Sequence, residues 1–252
     1  MFSIFNKPVS CPTGSLLLTD MHAHILPGID DGAATVEEAL VLVDGLISLG
    51  YQQLIATPHI MGDLYPNTPE TIHQAYSLLK AEMDKRHYTI PLSYAAEYLI
   101  DEQFPEKIEA GLLTFNGNHV LVETMFAVCP PNIEEVLFSL QAHGYQPVFA
   151  HPERYHYMDE SLKGLEPFQK HHCLFQPNWL SFAGYYGKRE KMIAQKLLEA
   201  HLVNFLGTDM HHTRHLSALK HLKVKPVILR QLEAIDFGNR QLQAEREGTP
   251  EV

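Results

Sequence analysis

The sequence predicts a parallel α/β domain, on three observations. Short apolar runs alternate with helix-length amphipathic segments. Most of those runs end in His, Asp or Glu. The length, 252 residues, matches the roughly 250 typical of an α/β barrel built as one domain. Residues 1–252 are therefore read as a single domain. Hydrophobic content of 45% against 19% charged is enough to bury a real core.

Seven apolar runs read as strands: 15–25 (SLLLTDMHAHI), 52–60 (QQLIATPHI), 92–100 (LSYAAEYLI), 119–125 (HVLVETM), 146–155 (QPVFAHPERY), 173–180 (CLFQPNWL) and 202–211 (LVNFLGTDMH). A helix is expected at 35–49, where Thr35 and Glu38 form a capping box ahead of Ala39, Leu40, Val43, Leu46 and Ile47, and Gly50 stops it. Thr68 caps a second helix over 68–87, with Pro69 at its first position. Further helices are expected at 131–143, 187–201 and 226–243, and shorter ones near 103–110 and 162–171. Strands separated by helices imply right-handed crossovers and a parallel sheet. No linker, repeat or low-complexity tract divides the chain, and only EREGTPEV at the end reads as frayed.

Composition excludes several function classes. A net charge of −11 argues against a nucleic-acid partner, whose phosphates need clustered Lys and Arg. Cys11, Cys129 and Cys173 are odd in number and far apart, which fits a reducing cytoplasm and rules out a disulfide framework or a thiolate zinc site. None of them starts a Cys-x5-Arg phosphate loop, so a thiolate phosphatase is excluded. The start, MFSIFNKPVSCPTGSLLL, is a poor signal peptide. No run approaches eighteen apolar residues, so no membrane insertion is expected.

The ends of the runs carry the chemistry. The first ends at His22 and His24, the second at His59, the third at Glu97 and the fourth at Glu123. The fifth ends at His151 with Arg154 just beyond, and the seventh at Asp209 and His211. Parallel strands put all these carboxyl ends on one rim, and alternation puts His22 and His24 on one face. Taken singly each signal is weak, and Asp30, Asp31 and Gly32 alone read as a turn. Six of seven strands agreeing at the same end points to a metal site.

Imidazole with carboxylate and no thiolate suits Zn, Mn or Fe. About nine candidate ligands exceed the four that one tetrahedral ion takes, so two or three ions are expected. Paired ions suit phosphate-ester hydrolysis by a metal-activated water. Arg154 is the candidate cation for the phosphate, its alternative being a salt bridge to Glu153 or Asp159. Arg214 is a second, weaker candidate. His171, His172, His212, His215 and His221 read as surface residues, and Trp179, Tyr185 and Tyr186 as packing.

With these residues the chain resembles the PHP (polymerase and histidinol phosphatase) superfamily. It is most similar to the bacterial PHP-type protein-tyrosine phosphatases of capsule and exopolysaccharide systems. The matching stretches are DMHAHILPGIDDG, ATPH, AAEY, VLVET, AHPERY and GTDMH, in order from residue 20 to residue 211. The resemblance implies a distorted (β/α)7 barrel holding up to three metals. It implies as ligands His22, His24, Asp31, His59, Glu97, Glu123, His151, Asp209 and His211, and phosphate binding by Arg154. Arg154, Asp209 and His211 are the residues assigned to catalysis, with Arg214 a second phosphate contact. After His59 this chain reads HIMGDLYPNT, where several members of the family carry basic residues.

The expected function is a metal-dependent phosphomonoesterase acting on phosphotyrosine in proteins, such as a bacterial tyrosine kinase, and linked to capsule regulation. One alternative is a small-molecule phosphatase of the histidinol-phosphate type. The non-enzyme alternative is an inactive metal-binding PHP regulatory module. An amidohydrolase would need a bridging Lys where Glu97 and Glu123 stand. An oligomer is compatible with all of these.

Overall fold

The alternation of apolar runs and amphipathic segments becomes strands joined by helices in a computed structural model that describes residues 7–242. The chain runs through β1 (Val9–Ser10), α1 (Thr13–Leu17), β2 (Thr19–Asp20), α2 (Val36–Ser48), β3 (Gln53–Ala56), β4 (His59–Ile60) and α3 (Pro69–Lys85). Next come β5 (Leu92–Tyr94), β6 (Glu97–Leu99), α4 (Phe104–Ala110), β7 (His119–Glu123), α5 (Ile133–Ala142) and β8 (Gln146–Ala150). Then follow α6 (Glu166–Lys170), β9 (Leu174–Gln176), α7 (Trp179–Ala183), α8 (Lys188–Glu199), α9 (Thr213–Lys220), β10 (Lys223–Val224) and α10 (Pro226–Glu233).

Two parallel sheets result, in the orders β2-β3-β5 and β4-β6-β7-β8-β9. They are successive parts of the same runs. The second run breaks at Thr57-Pro58 and the third at Ala95-Ala96. Pro58 has no N–H to give to a ladder. Thr57 bonds instead with the first run, its N–H donating to Ala23 O at 2.9 Å and its Oγ1 accepting from Ala23 N–H at 3.2 Å.

The seventh run was expected to be a strand, but 202–211 forms only isolated parallel bridges, Ala23↔Met210 and Asn178↔Gly207. Asp209 adopts φ 51, a left-handed conformation that no regular ladder accommodates. The ends are joined by side chains instead: Thr208 N–H and Oγ1 donate to the two Asp20 oxygens at 3.1 and 2.5 Å, across 188 residues. Burial pushes the Asp20 carboxyl up to about 6, although the Thr208 bonds oppose it.

Helix ends follow their caps. Thr35 Oγ1 accepts from Glu38 N–H at 3.2 Å, while Glu38 Oε2 takes Ala34 N–H at 2.9 Å, so the expected box closes one residue early. Thr68 and Thr71 close a reciprocal box at the start of α3; such a cap is worth about 1 kcal/mol.

Several expectations need correction. Residues 15–17 and 179–180, expected as strand, are helical in α1 and α7, and α9 replaces loop. These pieces of eight residues or fewer carry too little periodicity to read. The helix expected over 226–243 ends as α10, followed by a short 3-10 turn at Gly238–Gln241. Position 243, the tail EREGTPEV and the first six residues of the signal-peptide reading lie outside the described residues. Among the described residues no helix is long and apolar enough to cross a membrane. The core joins α2, α3, α5, α8 and the sheets around fully buried Trp179, Tyr155, Phe149 and Phe168.

Candidate metal centre

The parallel register sets His59 beside Glu97, and Glu123 beside Leu99. All nine residues expected as ligands meet at this end of the strands. They form four overlapping groups: His24, Asp31, His59 and His211; His22, His24 and Asp209; His22, Glu97 and His151; His59, Glu97 and Glu123. Within each group the candidate ligand atoms lie within 4.8 Å of one another.

Glu97 is the hub. Its Oε2 lies 3.2 Å from His22 Nε2, 3.3 Å from His24 Nε2 and 3.1 Å from His59 Nδ1. Its Oε1 is 2.9 Å from His151 Nε2. Glu123 Oε1 is 3.0 Å from His59 Nδ1. Asp209 Oδ1 stands 3.5 Å from His22 Nε2, 3.6 Å from His24 Nε2 and 3.4 Å from His211 Nδ1. Asp31 Oδ1, from the half-exposed loop, reaches His59 Nε2 at 3.5 Å and His211 Nε2 at 3.4 Å.

These groups fit metal ions by an internal test. His59 Nδ1, Glu97 Oε2 and Glu123 Oε1 are buried and make no hydrogen bond despite such close neighbours. Leaving a buried polar atom unpaired costs about 1–3 kcal/mol, and more for a charge. Atoms aimed at common points rather than at each other are satisfied by cations. Imidazole and carboxylate donors without thiolate suit Zn, Mn or Fe.

The electrostatics show the same crowding. Burial works against the His22 imidazolium, but Glu97 and Asp209 outweigh it and raise the group to about 9. His59 rises to about 10, with burial again opposing and Glu97 and Glu123 prevailing. Burial alone would raise Glu97, yet His22 and His59 hold it well below the carboxylate range. Asp209 is held low in the same way, by His211, His22 and Arg154 against burial. Glu123 is pushed up by burial and by Glu97.

Outer partners aim the imidazoles. His22 Nδ1 faces Gln176 Oε1 at 2.5 Å, His24 Nδ1 faces Asp30 Oδ2 at 2.8 Å, and His211 Nδ1 faces Asp209 O at 2.9 Å. Fixing one ring nitrogen leaves the other for the cluster. Asp30 also accepts the N–H groups of Gly32 and His59. The two aspartates thus divide their work, Asp30 orienting His24 and Asp31 facing the cluster. Gly32 is required there, because a Cβ would lie 2.0 Å from His24 O. Gly207 is required for a similar reason, since its Cβ would come within 2.7 Å of His22 Cβ and Gln176 Nε2. His151 at φ 32 and Asp209 at φ 51 are left-handed non-glycine residues, each costing about 1–3 kcal/mol.

Arg154 pairs with neither Glu153 nor Asp159. Its Nη1 donates to Asp209 Oδ2 at 2.7 Å, and its guanidinium lies between the rings of Phe126 (4.8 Å) and Tyr186 (4.6 Å). Glu153 is buried and accepts from Asn178 N–H and Ser181 Oγ. A cavity of about 330 Å³ opens over the cluster, walled by Met61, Leu64, Tyr65, Phe126, Tyr186, His212 and His215. Tyr186 therefore belongs to the site rather than to packing, whereas Trp179 is core as expected.

His215 is buried, not on the surface. Its Nδ1 accepts from His211 N–H, and burial lowers it to about 4. His212 caps α9 through its Nδ1. His172 and His221 are exposed, and His171 is half-buried against Gln141. Arg214 is exposed on the first turn of α9 and is not part of the cavity wall. Sequence reasoning missed Asp30, Phe126, Gln176 and Asn178. Gln176 and Asn178 did carry a signal, since they are polar residues at the end of an apolar run, as the candidate ligands are.

Comparison with known proteins adds the family. The family described as capsular polysaccharide synthesis, CpsB/CapC, matches residues 18–222. The tyrosine-protein phosphatase YwqE of Bacillus subtilis is 30% identical over 199 residues, covering 78% of each chain. The tyrosine-protein phosphatase CpsB of Streptococcus agalactiae is 26% identical over 234 residues, 89% of this chain and 93% of that one. The crystal structures of YwqE and of CpsB from Streptococcus pneumoniae, described as unique metal-dependent tyrosine phosphatases, include a similar chain. It has a TM-score of 0.70 and 31% identity, over 79% of this chain and 81% of that one. A match that spans every one of the nine clustered residues and most of the fold leaves one conclusion: this chain belongs to the capsular polysaccharide synthesis CpsB/CapC family.

Proposed function

We propose that this chain is a metal-dependent protein-tyrosine phosphatase that hydrolyses phosphotyrosine in proteins and acts in capsule or exopolysaccharide regulation. The observation that carries the reading is the nine-residue cluster, seven of whose members are buried, with Arg154 at its mouth. His22, His24, Asp31, His59, Glu97, Glu123, His151, Asp209 and His211 would hold two or three Mn, Fe or Zn ions. When bound, such ions neutralise phosphoryl oxygens and activate a water for attack.

The chain's own groups do the rest. Arg154, held by Asp209 through one N–H in the free protein, offers its guanidinium donors to the phosphate. The Phe126 and Tyr186 rings hold the guanidinium in place and exclude water from its faces. Asp209 and His211 share the work of ligand and positioner, because Asp209 also fixes Arg154. The aromatic wall of Tyr65, Phe126 and Tyr186 suits an aryl leaving group.

The fold reading is a single-domain distorted (β/α)7 barrel. The bridges from Asn178, just past β9, to Gly207 and from Met210 back to Ala23 support it. A cytoplasmic location is supported by three unpaired cysteines. Arg214 stays outside the proposal, because it is exposed beyond the cavity wall. The test is phosphate release from a phosphotyrosine peptide, which should stop on metal chelation and resume when Mn is returned. Release that persists in fully stripped protein would sink the reading.

A further inference from the structure

Four buried side chains at the edge of the cluster form one chain of hydrogen bonds. His22 Nδ1 meets Gln176 Oε1 at 2.5 Å, Gln176 Nε2 donates to Asn178 Oδ1 at 3.1 Å, and Asn178 Nδ2 donates to Asp209 Oδ2 at 2.8 Å. His22, Gln176 and Asn178 are fully buried, and Asp209 is 2% exposed.

Its direction is dictated from both ends. Gln176 Nε2 also donates to Pro177 O at 2.9 Å, an atom that can only accept, so Oε1 has to face His22. The Asp209 carboxylate can only accept, so Asn178 has to give it Nδ2 and turn Oδ1 to Gln176. His22 must then carry its proton on Nδ1. In the neutral ring that metal ligation requires, its Nε2 lone pair is left facing Glu97 and Asp209, at 3.2 and 3.5 Å.

The far end meets Arg154. Asp209 Oδ2 accepts from Asn178 at 2.8 Å and from Arg154 Nη1 at 2.7 Å, while Oδ1 is turned to His22, His24 and His211. Asn178 is itself anchored, its N–H donating to buried Glu153 Oε1 at 2.9 Å. If Arg154 turns to a phosphate, Asp209 Oδ2 keeps one donor and is not stranded. An unpaired buried carboxylate oxygen would otherwise oppose that move.

We propose that Gln176 and Asn178 are positioning residues of the metal centre. They set the His22 tautomer, aim Asp209 Oδ1 at the ions, and keep Asp209 satisfied while Arg154 engages substrate. This rests on reading His22 and Asp209 as ligands.

The test is Mn²⁺ binding by calorimetry to the chelator-stripped full chain. Gln176→Met and Asn178→Leu keep volume but remove hydrogen bonds, and each should weaken Mn²⁺ about 10–100-fold, the usual effect of losing an outer partner of a ligand. Gln176→Glu still accepts from His22 Nδ1 and should recover part of what Gln176→Met loses. A packing role predicts the reverse order, because a buried carboxylate fits the slot worse than Met.

Arg154→Ala alone should leave Mn²⁺ affinity close to wild type. Combined with Asn178→Leu it should lose more than the product of the two single effects. Circular dichroism establishes that each variant is folded, with Asn178→Ala the substitute if Leu is not tolerated. Wild-type affinity in folded Gln176→Met and Asn178→Leu, or Met binding better than Glu at 176, overturns the inference and leaves the phosphatase reading intact. A wild-type chain that binds no Mn²⁺ overturns both.

Discussion

Arg154 and Asp209 are joined by a 2.7 Å hydrogen bond, Nη1 to Oδ2, although 55 residues separate them in sequence. The same aspartate turns its other oxygen toward three imidazoles of the cluster. On the proposed function, phosphate recognition and metal binding would meet at this one carboxylate.

Removing the arginine separates the two roles. Arg154→Ala should retain its metal content and lose about 2–4 kcal/mol of transition-state stabilisation, as expected for one charged donor to developing phosphate charge. The check is kcat/KM together with elemental analysis of the same preparation. A kcat/KM that barely moves would make the arginine a structural partner of Asp209 only.

Metal content is the second expectation. Protein purified without chelator should carry two to three transition-metal ions per chain. Glu97→Gln should reduce occupancy by more than the roughly 10–100-fold affinity cost of an outer-partner change, because Glu97 Oε2 faces three imidazoles at once. Full activity with one ion or none, by mass spectrometry against rate, is the contrary result.

Much of this centre was legible in the sequence because strand ends are local. His22, His24, His59, Glu97, Glu123 and His151 each close an apolar run, and parallel crossovers then bring the ends together. The partners that aim them were not legible as partners. Gln176 meets His22 from 154 residues away, and a neutral amide carries no charge pattern to mark it. Tyr186 looked like packing and Phe126 carried no signal, because only the fold sets them against Arg154. The missing seventh strand was hidden for a backbone reason, since nothing in LVNFLGTDMH announces a left-handed Asp209. Arg214 had the right residue type near the right motif, but the first turn of α9 turns it to solvent.

Stability of the chelated protein should depend on pH in a specified direction. His22 and His59 rise to about 9 and about 10 in the folded chain, against about 6.5 when unfolded. Their stabilising contribution is complete below about 6.5 and is lost as pH climbs through the folded values. Glu97 and Asp209 are lowered, so theirs is present above about 4 and lost as pH falls further. The Tm of stripped protein should therefore fall between about pH 6.5 and 10. Metal-loaded protein should resist that fall, because ligand histidines are already deprotonated. A stripped Tm that rises across this window contradicts the assignment.

Substrate choice is the fourth expectation. Leu64 is 70% exposed and Phe126 38% exposed at the rim, giving an aryl group apolar surface to rest on. Phosphotyrosine peptides should be turned over with higher kcat/KM than histidinol phosphate. With no basic residues just after His59, the peptides should bind with high KM and little sequence preference. Phe126→Ala should raise KM for aryl phosphates up to about tenfold, the scale of one aromatic contact. Thiol alkylation should leave the rate unchanged, since no cysteine lines the cavity. A histidinol phosphate kcat/KM far above that of every peptide would transfer the assignment to small substrates with the metal centre intact.

The tie between Asp20 and Thr208 has a consequence for the birth of the protein. A contact spanning 188 residues cannot form while the later part of the chain is still being synthesised. His22 and His24 leave the ribosome long before Asp209 and His211, so a nascent chain presents an incomplete and weakly selective set of imidazoles. Long-range contacts of this kind make folding slow, and ions that stabilise only the finished arrangement drive the last step of closure.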